Sequence, residues 1–86
     1  MKHSLDTYKF FFGALANPNR LQIINVLRQG EKNVGEICQA TGFEQTMVSH
    51  NLKVLGYHGM VFMEKDGKCR YYAVNKQTIK PLLEFI

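Results

Sequence analysis

Cysteine is scarce in this 86-residue chain. Cys38 and Cys69 are too few for the disulfide framework that steadies many small domains. No apolar segment of secretory type precedes the first predicted element, so a reduced, cytoplasmic setting is expected. Long hydrophobic runs are missing too: the longest, FFGALA, is far too short to cross a bilayer, and no membrane partner is expected. No repeat, low-complexity tract or linker divides the sequence, which reads as one domain over 1–86. Catalytic constellations are equally lacking. No Ser-His-Asp set, paired carboxylate, glycine-rich phosphate loop or metal cluster falls at useful spacing, so an enzyme is not expected, nor a cofactor.

A chain of this length buries only roughly 60 to 65% of the surface that its unfolded form exposes, which makes a monomer marginal. With disulfides excluded, oligomerisation is the expected help. Eleven Lys and Arg against seven Asp and Glu give a net charge of +4, which permits a nucleic-acid partner without demanding one. The distribution says more: between Lys53 and Arg70 stand four basic and two acidic side chains, with His50 and His58 in or beside the stretch. A scattered, solvated surface is the plainer reading of the same charges.

SLDTYKFFFGAL has Tyr8, Phe11, Phe12 and Leu15 at helical spacing, with Phe10 pointing elsewhere. Its aromatics cover more than one face, a surplus that suits either a partner subunit or a helix wrapped within a monomer. In ANPNRLQIINVLRQGE, Asn17 is placed to cap and Pro18 to occupy the first helical position. Leu21, Ile24 and Leu27 form its predicted stripe, widened by Ile23 and Val26, and Gly30 its stop. NVGEICQATG offers Asn33 and Glu36 as a capping box and closes on Gly42.

The next helix, in FEQTMVSHNLKVLGYHGMV, has two distinct faces. Val48, Leu52 and Leu55 make the side a helix buries, while Thr46, Ser49, His50 and Lys53 gather opposite. A helix kept only for packing would be expected to fill its outer face with stronger helix formers. Two helices joined by a tight glycine-containing turn, the second with an exposed polar face, form a helix-turn-helix. Gly56 and Gly59 are predicted to break it. MVFME and CRYYAV then read as strands, with Asp66-Gly67 as the two-residue turn. That register sets Lys65 opposite Lys68, like charges that oppose folding unless the tip is solvated or meets phosphate. NKQTIKPLLEFI places Ile79, Leu82, Leu83 and Ile86 at helical spacing, with Pro81 beginning or kinking the helix.

The resulting class is mainly α with a small β-hairpin, in the order α-α-α-α-β-β-α, a winged helix-turn-helix. Together LANPNRLQIINVL, EQTMVSHNLKVL and GMVFMEKDGKCRYYAV resemble the ArsR/SmtB family of small dimeric transcriptional repressors, over about Leu15 to Val74. The resemblance implies a homodimer that reads a near-palindromic operator in double-stranded DNA. By matching position, Gln45, Thr46, Ser49 and His50 would face the major groove, and Lys53, Lys65, Lys68 and Arg70 would neutralise phosphates. His50 also reads as a plain exposed side chain. Glu44 stands where the family often has Ser. Tyr8, Phe11, Phe12, Leu15, Ile79, Leu82, Leu83 and Ile86 are the expected dimer interface.

Family members often sense metals through a C-x-C pair, but here those positions hold Asn33 and Gly35. No His follows His58 to build the other familiar site. No metal is therefore expected at either place, and a small-molecule or metal effector acting elsewhere is left open. Cys38 reads as a small buried residue, and a redox role for the two cysteines stays open. A winged-helix module that contacts another protein, with weak non-specific DNA binding, is the alternative function.

Overall fold

The computed structural model describes residues 13–83, with side chains for 13–81. Residues 13–15 are helical and lead through a turn into α1, Pro18–Leu27. Asn17 Oδ1 accepts from the Asn19 and Arg20 N–H groups at 2.8 and 3.2 Å, and Pro18 opens the helix where its missing N–H costs nothing. The buried stripe is Ile23, Ile24 and Leu27; Leu21 and Val26 are only half-buried. The helix also stops short of its predicted glycine. Arg28 is the C-cap, and Gly30, at φ +147, turns the chain three residues after the last helical one.

α2, Val34–Thr41, carries both bonds of the capping box: Glu36 N–H to Asn33 Oδ1 at 2.8 Å and Asn33 N–H to the Glu36 carboxylate at 2.9 Å. Gly42, left-handed at φ +79, closes it with its N–H on Cys38 C=O at 2.8 Å. Only Gly42, Phe43 and Glu44 separate it from α3, Gln45–Tyr57, so the two helices make the tight turn expected of them. Val48, Leu52 and Leu55 are buried against α1 and α2 as their spacing predicts. Asn51 is buried beside them, which periodicity did not indicate. Gly56 lies inside α3 rather than breaking it. The stop comes at Gly59, whose φ of +71 disfavours any other residue.

The wing is an antiparallel pair, β1 (Val61–Asp66) and β2 (Cys69–Val74). Its turn is shifted by one residue from expectation: Gly67 and Lys68 are the central pair, and Asp66 faces Cys69. Gly67 alone has positive φ, +63, the pattern of a turn with glycine first, whereas Asp66-Gly67 would have needed it at both positions. Lys65 consequently stands opposite Arg70, not Lys68, so the like-charge pairing persists with a different partner.

Two further ties hold the wing's base. Lys32 and Tyr72 exchange backbone bonds at 3.0 and 2.8 Å, joining the residue before the α2 cap to β2. Asn75 donates its backbone N–H to Met60 C=O at 2.8 Å and its side-chain amide to Gly59 C=O at 2.9 Å. Asn75 Oδ1 also accepts the Gln77 N–H, at 3.2 Å, and so starts α4, Lys76–Leu83. That start lies five residues ahead of Pro81, which therefore falls inside the helix instead of beginning it.

The core gathers Ala14, Leu15, Ile23, Ile24, Leu27, Ile37, Val48, Leu52, Leu55, Met60, Val61 and Ile79 from every element except β2, whose Tyr72 and Val74 pack against it half-buried. Leu15 and Ile79, assigned above to subunit pairing, are 4% and 2% exposed. Both serve the chain's own interior, which leaves little of either for a partner. Tyr8, Phe11, Phe12, Leu82, Leu83 and Ile86 lie outside the residues whose side chains are described.

Candidate nucleic-acid interface

At about 100° per residue, Gln45, Ser49, Lys53, Thr46 and His50 span an arc of about 140° on α3. All five are exposed, and the buried stripe occupies the opposite side. The wing stands beside one edge of this arc. Gln45, Ser49 and Lys53 line an open cleft whose other wall carries Met63, Lys68, Cys69 and Arg70, while Tyr72 and residues at the start of α2 contribute to its lining. No Asp or Glu lines the cleft.

Strand alternation explains the arrangement. By alternation Val61, Met63, Lys65, Arg70 and Tyr72 share the wing face turned to α3 and Phe62, Glu64, Asp66, Cys69 and Tyr71 the other, but at the tip the division loosens: Lys65 borders the outer side and Cys69 lines the cleft. That second face borders a separate recess lined by Glu31, Glu64, Lys65, Asp66 and Tyr71. The structure therefore brings Lys53, Lys68 and Arg70 together with Gln45 and Ser49. It leaves Thr46 and His50 farther round the helix and sets Lys65 among three carboxylates. Among the described residues, none of the four cations Lys53, Lys65, Lys68 and Arg70 is held in an ion pair. An exposed cation without an internal counter-ion attracts an external one, and phosphate along a duplex supplies them in a row.

Met63, 47% exposed, and Tyr72 were missed as cleft residues. The signal for them was present: with the correct hairpin register, alternation alone puts both beside Arg70. On the far face, the Tyr71 phenol is held above its ordinary pKa, chiefly by the Cys69 thiolate. Desolvation, a side-chain hydrogen bond with Cys69, and the carboxylates of Glu36 and Asp66 add to the rise. Cys69 is exposed, and Cys38 is half-buried against the core. Among the described residues, no three His, Cys, Asp or Glu side chains gather to hold a metal ion, and no helix is long and apolar enough to cross a membrane.

Residues 17–61 match the model of the arsR family of bacterial regulatory proteins. Two relatives in Mycobacterium tuberculosis, the HTH-type transcriptional regulators Rv0324 and NmtR, are each 38% identical over 73 and 71 residues. The alignments take in 85% and 83% of this chain but 32% and 59% of those proteins, so the chain spans about a third of one relative and about three fifths of the other. Among solved structures, the homodimeric winged helix-turn-helix DNA-binding domain of Mb0332 from Mycobacterium bovis superposes with a TM-score of 0.84 at 35% identity, covering 94% of this chain and 76% of that one. The matched residues hold α1, the helix-turn-helix and the first residue of the wing, and the structural likeness extends over the rest of the fold. The chain belongs to the arsR family of bacterial regulatory proteins, winged helix-turn-helix transcriptional regulators rather than enzymes.

Proposed function

We propose that the chain, folded as one domain over 1–86, is a homodimeric repressor that binds a near-palindromic site in double-stranded DNA in the cytoplasm. The exposed arc of α3 enters the major groove, where Gln45 and Ser49 meet base edges at the helix start and Thr46 and His50 extend the surface. Lys53, Lys68 and Arg70 hold the phosphate backbone, with Lys65 joining them at the wing tip. A two-fold axis puts the second recognition helix about 34 to 36 Å away, in the next major groove. Repression follows from occupancy, since protein on a promoter excludes polymerase. The aromatic residues Tyr8, Phe11 and Phe12 with Leu82, Leu83 and Ile86 are the proposed pairing surface. Support for pairing comes from the homodimeric Mb0332 domain.

The observation that carries this reading is the acid-free cleft, which sets Gln45 and Ser49, suited to base edges, beside Lys53 on one wall and the cations Lys68 and Arg70 on the other. Neither position of the family's C-x-C pair is proposed to take a metal. Asn33 supplies the α2 cap and Gly35 has no side chain to offer. Selection of bound duplexes from a random pool tests the whole: the expected result is an enriched palindrome whose affinity falls steeply with salt. Weak binding without sequence preference would favour the protein-contact alternative. Zinc or arsenite added to the complex is expected to leave it intact.

A further inference from the structure

Among the described residues, one buried polar side chain stands in the core, Asn51, 4% exposed on the hidden side of α3. Its amide donates to Met47 C=O within the same helix at 3.0 Å, and its Oδ1 accepts from Arg20 Nη1 at 3.4 Å. The same guanidinium donates through Nε to Ala14 C=O at 2.7 Å. Arg20 thus joins three pieces of chain: the helical residues ahead of α1, α1 itself and α3. The rest of the buried face of α3 is Val48, Leu52 and Leu55. Apolar contacts are non-directional, so a helix held by them alone tolerates small rotations and slides. A hydrogen bond does not, because a buried acceptor that loses its donor is costly.

Resting on the DNA reading given above, we propose that Arg20 is a positioning residue: linking Ala14 to Asn51, it fixes the rotation of α3 at which Gln45 and Ser49 meet base edges. Asn51 lies only two residues after Ser49, on the opposite side of the same two turns. A rotation permitted at Asn51 is therefore a rotation imposed on the reading face. The planar fork is what the site needs. A lysine keeps the charge and most of the stem, but one ammonium cannot reach two acceptors that lie in different directions from the guanidinium.

The test compares Arg20→Lys and Asn51→Leu with wild type on two duplexes, one selected from the random pool and one of scrambled sequence. The readout is the ratio of the two affinities. Loss of folded protein weakens both duplexes by one factor and leaves the ratio alone. Loss of orientation lowers the ratio, expected on the order of tenfold, with the scrambled affinity and salt slope preserved. The double variant is expected to be no worse than either single one, because both cut the same link. Asn51→Asp keeps the acceptor for Arg20 and is expected to keep most of the ratio. If wild type discriminates and Arg20→Lys discriminates equally well, the proposal is overturned while the DNA reading stands. If wild type itself shows no discrimination, both fall. Additive losses in the double variant would likewise overturn the link between Arg20 and Asn51.

Discussion

The two faces of the wing are built from alternate residues of the same two strands, yet they carry opposite chemistry. The face turned to α3 offers Met63, Arg70 and Tyr72 and, with Lys68 at the turn, closes a cleft that no carboxylate lines. The outer face offers Glu64, Asp66 and Tyr71 and borders Glu31. A net charge of +4 says nothing of this division, because it sums both faces. The hairpin separates its charges by side, and a polyanion approaching the molecule is drawn to one face and turned away from the other.

Reversing the inner face should have the largest effect. Lys68→Glu combined with Arg70→Glu is expected to weaken binding to every duplex by about a hundredfold or more and to flatten the dependence of log affinity on log salt by about two units, measured by fluorescence anisotropy across a salt series. The matching change outside, Glu64→Lys with Asp66→Lys, should move affinity upward by only a few-fold. Equal responses would abolish the distinction between the faces. Next in size, Gln45→Ala or Ser49→Ala should relax preference at individual base pairs by about 1 to 3 kcal/mol while leaving the salt slope unchanged, as competition with single-base variants of the selected site will show. Such a result would divide the cleft further, into a wall that discriminates and a wall that holds.

Smaller again is the turn. Gly67→Ala puts a side chain on a residue at φ +63 and is expected to cost about 1 kcal/mol, read from thermal unfolding and from faster amide exchange at Lys65 and Arg70. The smallest effect is electrostatic and falls on Tyr71. A nearby thiolate makes removal of the Tyr71 proton harder, so Cys69→Ser should lower that phenol's pKa toward its ordinary value, followed by carbon NMR.

Local signals in the sequence translated well wherever the physics was local. The caps at Asn17 and Asn33, the left-handed Gly42 and the stripe of Val48, Leu52 and Leu55 each depend on residues within a turn or two, and each stands as its spacing predicts. The hairpin turn was displaced by one residue because Gly67 satisfies either placement. What separates them is pairing farther along, including the tie between Lys32 and Tyr72, which no short window contains. Asn51 escaped for the same reason: its partner Arg20 is 31 residues away. Leu15 and Ile79 show the limit of periodicity, which identifies an apolar side chain without saying whether its own chain or another will cover it. In the cleft, Gln45, Ser49, Lys53, Lys68 and Arg70 were legible from position, but Lys65, which pairs with Arg70, borders the outer recess instead of the cleft, an outcome that neither periodicity nor register gives.

The short backbone tie at Lys32 and Tyr72 has a mechanical consequence. It fastens the root of the hairpin to the segment that launches α2, and α2 carries α3, so the two walls that would grip a duplex are cut from one piece like the jaws of a fixed caliper. Their gap is set when the protein folds. A double helix has to match that gauge through its own groove width and pliability, which makes stiffness of the nucleic acid a second criterion of selection beside the identity of its bases.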